Sequence, residues 1–217
     1  MPEPTEIRSF IAANLPLAPV PGVPEIRLHK AGPTSGLRRL AAQDEAGFGT
    51  PYWAYYWGGG LALARHLLDR PEAVAGRRVI DLGAGSGIVG IAAAMAGAAA
   101  VTAVEIDAYA AAAIALNAEA NRVAVTVRVL DMLDDPPPPA DLIAVGDLFY
   151  EAELARRATA FLDRCMDAGI EVLVGDPWRA FLPRHRLRAI GEYRVSERGG
   201  ADATMAAAVF AMEPMAN

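Results

Sequence analysis

Val79-Ile80-Asp81-Leu82-Gly83-Ala84-Gly85-Ser86-Gly87 decides how this 217-residue chain folds. Short apolar residues run straight into alternating glycines, and Ile88-Val89-Gly90-Ile91 continues at helical spacing, so a buried strand turns tightly into a helix here. Downstream the alternation repeats. AVTAVEID at 100–107 reads as a second strand and 108–121 as a helix, and VTVRVLD at 125–131 as a third strand before the four prolines at 136–139. DLIAVGD at 141–147, a helix over 151–168 and IEVLVGD at 170–176 complete the repeat. RLRAIGEYRV (186–195) and ATMAAAVFAM (203–212) are two further strands, joined only by SERGGAD. That link is too short for a crossover helix, so the pair must be antiparallel. Upstream, LALARHLLD at 61–69 forms a helix that stops before Pro71, and residues 1–50 are Pro- and Gly-rich, with a helix near 3–14 and an extended VPEIRLHKA. The expected fold is α/β and Rossmann-like: a seven-strand, mostly parallel sheet with an antiparallel last strand. Residues 1–50 are expected as an arm or cap on a catalytic domain spanning 51–217.

Composition narrows the function classes. With 53% hydrophobic and 21% charged residues the chain folds as a globule and is not intrinsically disordered. No free-standing apolar run is long enough to span a bilayer. The start, MPEPTEIRSF, has neither a secretory nor an organelle-targeting pattern, so a cytoplasmic protein without a membrane partner is expected. The single cysteine, Cys165, excludes an internal disulfide, and three scattered histidines (His29, His66, His185) give no metal site. A net charge of −6 and a pI near 5.1 argue against a nucleic-acid partner. The basic run Arg184, His185, Arg186, Arg188 is read as a solvated strand edge, with a docking patch as the alternative.

The glycine loop sets the cofactor. Glycines at a strand-to-helix turn let backbone approach a ligand, and the helix N-terminus presents unpaired N–H groups. Gly85, Gly87 and Gly90 match the G-x-G-x-x-G of dinucleotide sites, so an NAD-type oxidoreductase is a competing reading. Asp81 would repel a pyrophosphate, whereas it can accept a hydrogen bond from the amino group of a methionine moiety. S-adenosyl-L-methionine is therefore the expected cofactor, held by Asp81, Gly83 and Gly85. Glu105 stands where an acidic residue takes ribose hydroxyls, with helix capping as its other reading, a role better suited to Asp107. Asp131 ends the third strand and Met132 comes next, beside the expected adenine position; a solvated strand-end carboxylate is the alternative for Asp131.

These motifs resemble class I methyltransferases generally. A narrower resemblance lies in PYWAYYWGGG at 51–60, GDLFY at 146–150 and GDPWR at 175–179. In this order they are similar to the lysine methyltransferases of the electron transfer flavoprotein β-subunit, whose family carries an Asp-x-x-Tyr motif. The resemblance runs from about residue 23 to the C-terminus. It departs at Gly58, where the family often has proline, and at Trp178, near which the family has small residues. It implies a protein-lysine N-methyltransferase acting on the electron transfer flavoprotein β-subunit; a ribosomal protein or a small molecule remains the alternative acceptor. An Asn-Pro-Pro-Tyr-like turn, typical of amide-directed relatives, is absent.

Asp147 ends the fourth strand and Tyr150 follows three residues later, so Asp147 should face the cleft shared with Asp81 and Glu105. A helical turn would put Asp147 and Tyr150 on one side. As the catalytic pair, Asp147 would capture and aim the lysine and Tyr150 would wall the amine by a cation–π contact; alternatively Asp147 caps the following helix. The aromatic run Tyr52, Trp53, Tyr55, Tyr56, Trp57 either roofs the cofactor or staples the N-terminal arm, and the resemblance points Trp57 to the cofactor. Trp178 and Arg179, after a turn fixed by Pro177, are expected substrate contacts.

Overall fold

A computed structural model of the chain describes residues 3–44, 47–196 and 204–214. The strands are β1 (Leu17–Val20), β2 (Val23–His29), β3 (Arg78–Leu82), β4 (Ala100–Glu105), β5 (Thr126–Val129), β6 (Leu142–Gly146), β7 (Glu171–Asp176), β8 (Leu187–Val195) and β9 (Met205–Met212). The α-helices are α1 (Pro4–Asn14), α2 (Leu37–Gln43), α3 (Gly58–Asp69), α4 (Ile88–Met95), α5 (Ala108–Ala120) and α6 (Ala152–Asp167). Seven strands form one sheet in the order β5-β4-β3-β6-β7-β9-β8. β3 through β7 are mutually parallel, and β9 runs antiparallel to both β7 and β8. The expected seven-strand sheet with its antiparallel last strand is therefore present. Of the SERGGAD link, residues 197–202 lie outside the described residues, as does Ala203 at the expected start of the last strand.

Period-two alternation explains why helices must cover both faces. Val79, Leu142 and Ala144 point into a core with α3 and α4, together with Ile26 and Leu28 of β2. Ile80, Ile143 and Val145 point into the opposite core with Phe161, Leu162 and Cys165 of α6. The N-terminal segment packs at one flank. Ile7 and Ile11 of α1, Leu40 of α2 and Trp53 cluster with Tyr109 and Ala113 of α5. Asn117 of α5 tethers β2 by accepting from the His29 N–H at 2.8 Å.

Two boundaries differ from the sequence reading. Helix α3 begins at Gly58 instead of residue 61 because its glycines are packed, not loose. A Cβ on Gly59 would stand 2.1 Å from the Gly175 carbonyl oxygen, and one on Gly175 would stand 2.2 Å from that of Gly59. Only glycines let the helix N-terminus touch the end of β7. Strand β5 stops at Val129, short of Asp131, whose side chain instead accepts from the Leu133 N–H at 3.1 Å and folds a turn. The basic run is not one patch: Arg186 is buried on Asp163 at 2.6 Å, Arg188 pairs with Glu213, and Arg184 lies over the Trp178 ring. Among the described residues no helix is long and apolar enough to cross a membrane, and no cluster of His, Cys, Asp or Glu could hold a metal ion.

Candidate active site

A cleft of about 930 Å³ opens at the carboxyl ends of β3, β4, β5 and β6, where ligands of open parallel sheets bind. Gly83, Gly85, Glu105, Asp131 and Met132 line one end of it, and Trp57, Tyr52, Asp147, Tyr150 and Arg179 the other. Of the residues expected at the site, Asp81 and Trp178 do not line it.

At the glycine-loop end, Gly83, Gly85 and Gly87 hold φ of 67°, 53° and 80°, a region open to glycine at no steric cost. A Cβ on Gly83 would also lie 2.9 Å from Leu148 Cδ1. Glu105 folds its carboxylate back onto the backbone. One oxygen accepts from the Gly85 N–H at 2.9 Å and the other from the Ile106 N–H at 2.8 Å. Capping of α5 falls to Asp107, which accepts from the Tyr109 N–H at 2.7 Å. Asp131 pairs with Arg157 at 2.9 Å, and Arg157 also holds Asp134 at 2.6 Å. Partial burial pushes the Asp131 carboxyl up, but the Arg157 and Leu133 hydrogen bonds outweigh it and hold the group below its ordinary range. Sequence reasoning missed Arg157, which lies on the cleft from α6 and carries no motif.

Asp81 sits behind the loop, 1% exposed. Its carboxylate accepts from the Gly90 N–H at 2.8 Å, the third N–H of α4. Burial is the main reason its pKa is pushed up to about 7; the Gly90 bond opposes this and the charge of Glu105 adds to it.

At the other end the aromatic run divides. Trp53 and Tyr56 are buried, while Tyr52 and Trp57 face the cleft. Trp57 donates its indole N–H to the Tyr52 carbonyl at 3.1 Å, and the Tyr52 ring lies 5.7 Å from both Trp57 and Tyr150. Tyr150 is 48% exposed, and desolvation with nearby Tyr52 and Glu105 keeps its phenol protonated to higher pH than usual. The turn from Asp147 to Tyr150 is not helical; Asp147 adopts a φ of 58°. The following helix is capped by Glu151, which accepts from the Glu153 and Leu154 N–H groups. Asp147 serves a different helix. One of its oxygens accepts from the Gly60 N–H of α3 at 2.8 Å. The other is gripped by Arg179, through Nη2 at 2.6 Å and Nε at 3.1 Å.

The loop after β7 aims that arginine. Asp176 is fully buried and accepts from the Arg179 N–H at 2.6 Å, while its second oxygen has no hydrogen-bond partner among the described residues. Burial pushes the Asp176 carboxyl up to about 6, with the charge of Asp147 adding to the effect. Trp178, at the crest, has a φ of 67°, uncommon for a bulky side chain. Its ring is 40% exposed and rests edge-on against Phe210 at 4.9 Å. A repeated signal marked this end: Gly146-Asp147 and Gly175-Asp176 lie side by side on neighbouring strands, against Gly59 and Gly60 of α3.

The site fits an elongated ligand with a polar tail. Gly83 and Gly85 let a polar tail come close to bare backbone, Glu105 offers oxygens to hydroxyls, and Met132, Leu133 and Val129 offer an apolar slot for a base.

A family model described as ribosomal protein L11 methyltransferase (PrmA) matches residues 63–146, less than half of the chain, and ends just before Asp147. The electron transfer flavoprotein beta subunit lysine methyltransferase of Xenopus laevis is 40% identical over 196 residues, covering 88% of this chain and 79% of the relative. That of Danio rerio is 42% identical, covering 84% and 72%. Among solved structures, ribosomal protein L11 methylase from Lactobacillus delbrueckii subsp. bulgaricus superposes with a TM-score of 0.53 at 22% identity, covering 73% of this chain and 81% of that one. At that identity the likeness speaks to the fold.

Proposed function

The chain belongs to the electron transfer flavoprotein beta subunit lysine methyltransferases, and from that premise we propose that it methylates a lysine side chain of that same flavoprotein subunit. The methyl donor is S-adenosyl-L-methionine. When bound, it supplies a methyl group on a sulfonium, which an amine lone pair takes as the carbon–sulfur bond breaks and its electron pair stays on sulfur.

The residues divide the work. Gly83 and Gly85 hold the methionine end, Glu105 the ribose, and Asp131 with Met132 the adenine. Asp81 acts through its charge from behind the loop. Tyr52, Trp57 and Tyr150 form an aromatic collar that keeps water from the amine and favours a cation at its mouth. Asp147 accepts from the amine and aims its lone pair along the cleft; orientation of this kind supplies most of the gain in a displacement reaction. What carries the reading is that the glycine loop and the Asp147–Tyr150 turn open into one cleft. The family's similarity also extends over 88% of the chain, well past the point where the ribosomal-protein pattern ends.

The test is incubation with methyl-labelled S-adenosylmethionine and purified electron transfer flavoprotein, or ribosomal protein L11 in a parallel reaction. Label on a lysine of the flavoprotein β-subunit is expected. Label only on L11, or on no lysine at all, contradicts the proposal.

A further inference from the structure

Methylation of lysine poses an electrostatic conflict at Asp147. Free lysine has a pKa near 10.4, and only its neutral form has a lone pair to give. A bare carboxylate beside the amine favours the ammonium and so holds the proton in place. Asp147 is not bare. Arg179 places two guanidinium nitrogens on one of its oxygens, and the positive end of α3 meets the other through the Gly60 N–H. The pair is largely withdrawn from water, with side-chain exposures of 9% for Asp147 and 23% for Arg179, so solvent does little to screen it.

We propose that Arg179 is a charge-offsetting residue, which cancels the field of Asp147 at the acceptor amine so that the carboxylate orients the lysine without fixing its proton. The inference rests on the lysine-methyltransferase reading above and gives Arg179 a role inside the site instead of on the protein-docking surface. The surrounding architecture holds the guanidinium there. The Asp176 carboxylate takes the Arg179 backbone N–H, and the Trp57 ring lies 5.9 Å from the guanidinium carbon. Among the described residues, the other titratable groups at this end are acids or phenols: Asp176 from β7, Tyr150 and Glu151 after β6, and Tyr52 before α3, with the charge of Glu105 reaching Tyr150 from the far end. Arg157, which also lines the cleft, is paired with Asp131 and Asp134. Loss of Arg179 would leave Asp147 and Asp176 both acting to raise the amine's pKa.

The test compares wild type with Arg179→Gln and Arg179→Lys, measuring kcat at saturating flavoprotein acceptor across pH, since kcat reports ionisations within the complex. The acid limb of the Arg179→Gln profile should move up by at least ~1 pH unit, the scale of one neighbouring charge, so that its deficit is large at neutral pH and shrinks at high pH. Arg179→Lys keeps the charge, and its limb should stay with wild type even where the rate drops. A second readout needs no turnover. With S-adenosylhomocysteine in the cofactor site, calorimetry in two buffers should show less proton release on acceptor binding for Arg179→Gln than for wild type. An Arg179→Gln profile that is merely scaled down, or an Arg179→Lys limb that shifts as far as the glutamine one, overturns the inference while leaving the lysine reading intact. Absence of methyl-lysine with wild type would remove both.

Discussion

Helices α3 and α4 both point their N-termini at the cleft, and both receive a carboxylate from the end of a neighbouring strand. Asp81 accepts from Gly90 of α4, and Asp147 accepts from Gly60 of α3, in each case a glycine at the third helical position. The surroundings then diverge. Asp147 has a permanent cation, Arg179, at 2.6 Å. The groups acting on Asp81 are burial, the Gly90 N–H and the charge of Glu105, with no cation among them, and its pKa rises to about 7. One motif thus serves two purposes. At the acceptor end the charge is compensated within the protein. At the cofactor end no cation of the protein acts on Asp81, and on the reading proposed above the methionine ammonium would supply that charge.

Pushing the α3 N-terminus off the sheet should have the largest effect. Gly175→Ala places a Cβ 2.2 Å from the Gly59 carbonyl, against backbone that must move. Overpacking of this severity should cost at least ~3 kcal/mol in chemical denaturation. A loss below ~1 kcal/mol would mean that α3 is free to shift and that its seat is not set by the paired glycines. Next in size is Glu105→Ala, which removes both oxygens offered to the ribose. Calorimetry should show cofactor binding weaker by about 1–3 kcal/mol, and an unchanged affinity would move the ribose elsewhere.

The smallest effect sharpens the contrast in charge. With a pKa of about 7, Asp81 is protonated in the free protein below neutrality, while a bound ammonium favours its ionised form. Binding below pH 7 must therefore expel a proton, so affinity should fall by up to ~tenfold per pH unit as pH drops from 7 to 6. Above pH 7 this dependence should vanish. Asp81→Asn should flatten the curve; a slope that survives the substitution would belong to another group. Burying the ionised carboxylate costs stability, so the contribution of Asp81 to the ligand-free protein should be lost as pH rises from about 4 to 7.

Much of the fold could be read along the chain because each strand is short, apolar and followed by a helix of ordinary length. Asp107 as a cap and the antiparallel pairing of the last two strands were equally legible, since both are local. What escaped depends on contacts far apart in sequence. Gly58-Gly59-Gly60 reads as a flexible turn until Gly175 is placed against it, and then it reads as a helix start. Arg179 beside Trp178 reads as a surface anchor. Nothing local says that the arginine turns inward to a carboxylate 32 positions earlier while the tryptophan remains outside. Asp81 was legible as part of the glycine loop, but its full burial comes from the layers of the sheet around it.

In the proposed arrangement one cleft has two ends, with the cofactor held by the glycine loop and the acceptor aimed by Asp147. Asp147→Asn separates the two ends, because its amide oxygen can still accept from Gly60 while the charge is gone. Two quantities are measured on the same preparation: cofactor affinity by calorimetry and the initial rate of methyl transfer to the flavoprotein β-subunit. Transfer should fall by at least ~10²-fold, the usual loss on removing a positioned catalytic group. Affinity should change by less than about 1 kcal/mol if the cofactor binds without that carboxylate. Equal proportional losses in affinity and rate would place Asp147 at the cofactor and contradict the division of the cleft.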